Sequence, residues 1–397
     1  MKIAIVHNSY GKVSGEEVVV GSLGNLLRSR GHDVVLFSRS SEEIRGKWFG
    51  QAQGFAAGIY NPFARARFSR FMDKSRPDVV HIHNLFPLIS PAVLPESARR
   101  KVPVVMTLHN FRLVCPNALL LRDGVPCHEC LGGREWRCVK HNCERSLAKS
   151  LGYALRTGLA RTSGLFRKHV SRFICLTEFQ RGIHIQEGFP ADRLVVIPNP
   201  APEVLLGAGP KGGNNEKMAG SYVGYVGRVS AEKDVPVVLA ASRLLPDIPF
   251  KIAGDYWRMP HLLKEAPPNV EFVGHLQGAC FEDFFRKMKL MVFATRYYEG
   301  FPMTLLDAMV RKVPIVCTRI GGLPEIIEDG RTGLLFERGN ASDLAAQISQ
   351  LWGNASLREI LSDAANRKVR DEYSAESVYQ RLLRVYTEAI GCACGGG

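Results

Sequence analysis

The sequence predicts an α/β protein built of two doubly wound, Rossmann-like domains facing across a cleft. Three observations carry that expectation. Short apolar runs, of strand length, alternate with longer stretches of helical periodicity along most of the chain. The alternation is interrupted once, by Pro- and Gly-rich sequence between Asn199 and Ser221, and then restarts. The 397 residues are enough for two domains that each bury a core.

In the first half, Ile3-Ala-Ile-Val reads as a strand. The Gly-containing turn Ser9 to Gly15 follows, then a helix over Val18 to Leu27 ended by Gly31, then a second strand at Val34-Val-Leu-Phe. Asp78-Val-Val-His-Ile-His, Val102 to His109, Phe173-Ile-Cys-Leu-Thr and Leu194-Val-Val-Ile-Pro continue the series. In the second half, Tyr222 to Val226, Phe250 to Gly254, Val270 to Gly274, Leu290 to Ala294, Pro314 to Cys317 and Gly333 to Phe336 read as six short parallel strands. Gly391 to Gly397 reads as a disordered end.

Hydrophobic residues at 46% and charged residues at 23% describe an ordinary globular composition. No apolar run approaches the ~20 residues of a membrane span, and the first strand is too short for a signal peptide, so a cytoplasmic location is expected. The net charge of +14 is confined to one half: residues 1–200 hold 29 Lys and Arg against 15 Asp and Glu, and residues 201–397 hold 23 of each. The excess is densest from Arg65 to Arg76, interleaved with Phe63, Phe68 and Phe71, and from Lys149 to Arg172. Cations interleaved with apolar residues suit an anionic membrane surface or nucleic acid.

Chemistry concentrates in the second half. Glu299-Gly-Phe-Pro302 punctuates a strand and a helix, so the backbone N–H groups of Gly300, Phe301, Pro302's neighbours and Met303 would meet an anion at the helix's positive end. Glu299 and Asp307 flank that spot, as suits a molecule joining phosphate to sugar hydroxyls. After the strand Tyr222 to Val226, Arg228 and Lys233 would project from the loop at its carboxyl end, where two cations can hold a diphosphate.

With these residues in place, the chain resembles the retaining glycosyltransferases of family 4, which have the two-domain GT-B fold. The resemblance rests on Gly227-Arg228 with Lys233, Gly254-Asp255, Val273-Gly-His-Leu, Glu299 to Ala308, Gly321-Gly-Leu-Pro-Glu325 and Asp329 to Leu335, in the family's order. It implies a nucleoside diphosphate sugar donor, with Arg228 and Lys233 on the diphosphate, Glu299 on the transferred sugar and Asp307 on the ribose. It implies His275 near the base, His109 near the reacting carbon and the acceptor, and Gly15 in the loop that approaches the phosphates. The family pattern has Glu where Asp307 stands and commonly has glycine where Asp234 and Tyr256 stand. The domains expected are 1–200, a linker at 201–220, 221–370, a helix at 371–390 crossing back to the first domain, and a flexible tail at 391–397.

Retaining transfer without a catalytic metal is expected, since two cations and a helix N-terminus can neutralise a departing diphosphate and the sequence has no Asp-x-Asp pair. The acceptor expected is an anionic lipid-linked or polysaccharide precursor in cell-surface glycan assembly, with peripheral membrane contact and no nucleic acid. Cys115, Cys127, Cys130, Cys138 and Cys143 crowd a long excursion at 111–144, where Cys127-His-Glu-Cys130 has the spacing of a zinc knuckle; a structural zinc is expected there. Two other classes compete with this reading. One is a basic zinc-knuckle protein that binds nucleic acid. The other is a dinucleotide oxidoreductase, which lacks both a Gly-x-Gly-x-x-Gly turn and an acidic residue after the second strand.

Overall fold

The computed structural model describes residues 1–11, 15–46, 48, 50–202 and 220–394. Most of the expected linker, 203–219, and the last three residues of the expected tail lie outside them, as do residues 12–14 of the first turn. The chain divides into two compact units. Unit 1 comprises Met1–Leu120, Cys127–Asn199 and Val378–Gly397; unit 2 comprises Leu121–Pro126 and Pro200–Ser377.

The strands of the first half are β1 (Lys2–Ser9), β2 (Asp33–Ser40), β3 (Val79–Asn84), β4 (Val104–Thr107), β5 (Leu121–Arg122), β6 (Val125–Pro126), β7 (Arg172–Cys175) and β8 (Leu194–Val196). Six of them form one parallel sheet in the order β2-β1-β3-β4-β7-β8, while β5 and β6 make a short antiparallel hairpin. The second half supplies β9 (Tyr222–Val226), β10 (Phe250–Ala253), β11 (Val270–Gly274), β12 (Met288–Phe293), β13 (Ile315–Arg319) and β14 (Leu334–Glu337). They form a second parallel sheet in the order β11-β10-β9-β12-β13-β14.

The central strands of both sheets are buried on both faces, which explains why they read as unbroken apolar runs rather than alternating ones. All six residues of β3 are buried, as are all five of β9. The core of unit 2 gathers Val223, Tyr225, Phe250, Ile252, Leu290, Val292, Val316 and Phe336 from five strands.

Each sheet reverses its winding once. In unit 2 the chain steps outward from β9 to β11, returns to β12 beside β9, and steps out the other way; the reversal lies between β9 and β12. In such sheets a crevice opens at the carboxyl ends of the strands where the order reverses. In unit 1 the equivalent place lies between β1 and β3.

The last helix, Ala375–Cys394, packs in unit 1 for most of its length. Its fully buried Tyr386 hydroxyl is 2.7 Å from His81 Nδ1, and its Tyr379 hydroxyl is 2.9 Å from His32 Nε2. Gly391 to Cys394 form its final turn, where the sequence suggests a flexible tail.

Candidate active site

Two loops meet at the reversal in unit 2: the one after β9, carrying Arg228 and Lys233, and the one after β12, carrying Glu299. Their backbones are stitched together, since the Glu232 carbonyl accepts from the Arg296 amide at 2.8 Å and from the Thr295 hydroxyl at 3.2 Å. Arg296 Nε then reaches Asp234 Oδ1 at 2.7 Å.

At the centre Lys233 Nζ donates to Glu299 Oε1 at 2.6 Å, and the Tyr297 hydroxyl donates to Glu299 Oε2 at 2.7 Å. The Lys233 and Glu299 side chains are only 14% and 7% exposed. Burial and the adjacent Glu299 hold the Tyr297 phenol well above its ordinary range, so it remains a donor. Arg228 differs. Its side chain is 59% exposed, with its guanidinium 3.4 Å from Glu232, so it is available to a ligand arriving from solvent.

The turn between β9 and Arg228 is shaped by close backbone approach. A Cβ at Gly254 would fall 1.8 Å from the Gly227 carbonyl oxygen, so the Gly254 position admits no side chain without moving the Arg228 loop. The departure at Asp234 also has a structural account: its backbone is left-handed, φ 47°, which glycine adopts freely, and its buried carboxylate holds Arg296 in exchange.

The helix after the second loop, Met303–Val310, begins with Pro302 at its N-cap rather than inside its first turn, and no side chain caps it. Gly300 to Met303 therefore lie at the positive end of an eight-residue helix dipole. Asp307 sits inside this helix, bonded through Oδ1 to Arg311 at 2.8 Å, while Arg311 also meets Glu282. Burial raises the Asp307 carboxyl above its usual range. Asp307 is therefore already engaged and does not touch Glu299. His275 lies just past the edge strand β11, exposed and hydrogen-bonded to Gln277 rather than to the groups around Glu299. Tyr256 packs edge-on against Phe272.

Unit 1 has its own polar cluster at the carboxyl ends of β1, β3 and β4. His109 Nε2 is 2.9 Å from His83 Nδ1, the rings stacked, and a small pocket is lined by both together with Arg112 and Phe86. His7 Nδ1 lies 3.6 Å from Glu16 Oε1, and the Tyr10 hydroxyl donates to Glu16 Oε2 at 3.1 Å. Burial lowers His109 to about 3 and His7 to about 4, and raises Glu16 to about 7, so near neutrality the imidazoles are uncharged. Both His7 nitrogens, Glu16 Oε1, His83 Nε2 and Arg112 Nε are buried without a hydrogen-bond partner among the described residues. Such atoms are normally satisfied, so the cluster suits a ligand rich in hydroxyl groups. Gly15, exposed, opens the helix Gly15–Ser29 that carries Glu16.

The expected zinc ligands do not form a set. Among the described residues no three His, Cys, Asp or Glu side chains are arranged to hold a metal ion, Cys115, Cys127, Cys130, Cys138 and Cys143 included. The thiols are used otherwise. Cys115 donates to Asn117 at 3.0 Å, while Cys130 and Cys138 pack with Ala154 as small apolar groups. Burial pushes Cys115 up to about 11 and Cys130 to about 12, and a hydrogen bond with Cys143 raises Cys138. Glu129, inside the presumed knuckle, binds Arg137 at 2.7 Å and His141 at 3.2 Å, and Glu135 binds Arg161 at 2.6 Å. The excursion is held by packing and ion pairs.

The structure thus unites Lys233 and Glu299, with Arg228 beside them, and leaves Asp307 and His275 apart. Sequence reasoning missed Tyr297, Asp234 and Arg296 in unit 2, and His7, Glu16 and His83 in unit 1. Glu16 follows Gly15 directly and His83 ends a quoted strand, but nothing local distinguishes them from surface or core residues.

Two family models match the chain: Glycosyltransferase Family 4 over residues 13–202 and Glycosyl transferases group 1 over residues 220–354. An uncharacterized glycosyltransferase of Methanocaldococcus jannaschii is 31% identical over 168 residues, 41% of this chain and 47% of that protein. The capsular polysaccharide biosynthesis glycosyltransferase CapM of Staphylococcus aureus is 23% identical over 174 residues, 41% of this chain and 45% of that protein. The chain thus spans about half the length of these relatives. Among solved structures, Anabaena HepE in complex with UDP and glucose superposes with a TM-score of 0.67 at 16% identity, covering 98% of this chain and all of that one. That likeness shows the fold, two Rossmann-like domains of the GT-B class.

Proposed function

This chain belongs to the family 4 glycosyltransferases, and on that premise we propose that it is a retaining enzyme moving a sugar from a nucleoside diphosphate sugar to an acceptor hydroxyl. The observation that carries the reading is the buried Lys233–Glu299 pair at the winding reversal of unit 2, beside an exposed Arg228 and an uncapped helix N-terminus. HepE binds UDP and glucose, which supports a donor of that class here. CapM acts in capsular polysaccharide biosynthesis, which supports a polysaccharide precursor of cell-surface glycan as acceptor, and the cationic first half supports a lipid-linked form of it met in peripheral contact with a membrane.

In this reading Arg228, Lys233 and the backbone N–H groups of Gly300, Phe301 and Met303 hold the diphosphate. The bond from the anomeric carbon to the diphosphate oxygen breaks with its electron pair on the diphosphate, whose growing charge these groups neutralise without a metal. The acceptor oxygen bonds to the same face of the carbon, and its proton passes to the departing phosphate oxygen. Glu299, oriented by Tyr297 and Lys233, holds the sugar and stabilises positive charge at its anomeric carbon. His109 and the unit 1 cluster serve the acceptor. Asp307 would bind the ribose by exchanging Arg311 for a hydroxyl, and His275 would border the base. No finding favours the nucleic-acid-binding alternative.

A panel of nucleotide sugars, with product analysis by NMR, tests the proposal. Turnover with the donor's anomeric configuration kept is the expected result; an inverted product overturns the retaining mechanism, and no turnover or binding of any nucleotide sugar overturns the activity.

A further inference from the structure

Two basic stretches of unit 1 interleave cations with apolar residues, and the fold treats them in opposite ways. The helix Pro62–Ser75 turns Ala64, Phe68 and Met72 into the core, and its Arg65 is paired with Glu96 at 2.6 Å. It is an ordinary amphipathic helix with its apolar line on the core and Phe63 as its one large exposed apolar side chain among the described residues. The helix Leu147–Ser163 does the reverse: it buries Ser150, Gly152, Ala154, Arg156 and Thr157, and exposes leucines.

Leu147, Leu151, Leu155 and Leu159 are 64%, 49%, 45% and 47% exposed. They are spaced four residues apart, so they form one line along the helix, over more than three turns. Single exposed leucines are common on protein surfaces; four in line on the solvent side of one helix are not. Phe55 extends the strip, since its ring edge lies against Gly152 and it is 37% exposed.

We infer that this leucine face of helix Leu147–Ser163 is the surface by which the protein docks on an anionic lipid bilayer. The occupant is chosen by charge. The helix contains no acidic residue. Arg145 and Lys149 at its start and Lys168 beyond its end are exposed. The first 200 residues carry the chain's whole excess of cations, so a second copy would bring a like-charged surface to the same face, whereas anionic headgroups would meet it with opposite charge. Leucines entering the headgroup boundary beside flanking cations are the arrangement of a helix that lies in the membrane plane. The inference rests on the reading of a lipid-linked acceptor and deepens it by naming where the chain meets the membrane.

The test uses the full chain, co-sedimented with phosphatidylglycerol or phosphatidylcholine vesicles at low and high salt. Wild type binds the anionic vesicles, more weakly as salt rises. Leu151→Ser with Leu155→Ser weakens that binding by roughly ten-fold or more, with melting temperature unchanged because both side chains are surface groups. Ile360→Ser, which removes an exposed isoleucine of unit 2, leaves binding as in wild type. Wild-type affinity in the double variant, equal binding to neutral vesicles, or a wild-type dimer that the double variant dissociates would each overturn the inference. Nucleotide-sugar turnover measured without vesicles fails or succeeds independently, so a failure of the enzymatic reading is distinguishable.

Discussion

Removing the ammonium of Lys233 is the sharpest test of the unit 2 site, because it separates the stability of the Lys233–Glu299 pair from its use. Both groups are largely out of solvent at 2.6 Å, so Lys233→Ala strands a carboxylate that, among the described residues, only the Tyr297 hydroxyl still serves. Breaking one side of a buried pair costs ~3–5 kcal/mol; the remaining Tyr297 bond places the expected loss near the lower end, at ~3 kcal/mol. Replacing both, as Lys233→Met with Glu299→Leu, removes the stranded charge and returns most of that stability. Urea unfolding of wild type, Lys233→Met, Glu299→Leu and the double variant therefore yields a coupling of ~2 kcal/mol or more. Transfer behaves differently: all three variants lose ~10²-fold or more in kcat/KM, and the double variant stays inactive while regaining stability. Additive stability losses, with coupling below ~0.5 kcal/mol, would refute the buried-pair argument. A double variant with near wild-type turnover would refute the assignment of either group to the reaction.

Arg228→Ala, at an exposed side chain, leaves unfolding free energy within ~0.5 kcal/mol of wild type while lowering the transfer rate by ~10² or more, measured by urea titration beside initial rates. At Asp234, where the backbone is left-handed, Gly is expected to be more stable than Ala by ~1 kcal/mol, since both lose the bond to Arg296 but only Ala strains the turn; equal melting would count against this. Glu16 is raised to about 7 by burial, so the folded state keeps its proton between about pH 4.5 and 7 while the unfolded chain gives it up. Its contribution is present below that window and is lost as pH rises through it, by at most ~3 kcal/mol. Glu16→Gln removes the loss, so its stability advantage over wild type should grow from pH 5 to pH 8; a constant difference would contradict the buried carboxyl.

Much of the fold was legible because its cause is local. A strand covered on both faces must be apolar at every position, and the runs Ile3 to Val6, Tyr222 to Val226 and Leu290 to Ala294 say so without any partner in view. Helix boundaries at Gly31 and Pro302 follow from local backbone chemistry, glycine's freedom at the one and proline's fixed φ at the other, where Pro302 stands as the cap. For the cysteines, spacing records only how ligands could be strung along a chain. What each thiol meets is set by folding: Cys115 bonds Asn117 within its own turn, while Cys130 and Cys138 pack on Ala154 of another helix.

What the sequence alone determined is the inventory: two parallel-sheet domains, a cationic first half, and Arg228, Lys233 and Glu299 in the order that family 4 shares. Tertiary structure decided what each member meets. Lys233 and Glu299 are 66 residues apart, and only the return of β12 to the side of β9 brings them to 2.6 Å. Asp234 fits a glycine's place because Arg296 arrives from the opposite loop to satisfy it. The basic helices Pro62–Ser75 and Leu147–Ser163 read alike, yet one is packed into the core and the other left with its leucines in solvent. The physical reason is the same in each case. Periodicity and propensity act over a turn or two of chain, whereas burial, which sets the cost of an unpaired charge or an exposed leucine, is a property of neighbours the chain reaches only by folding.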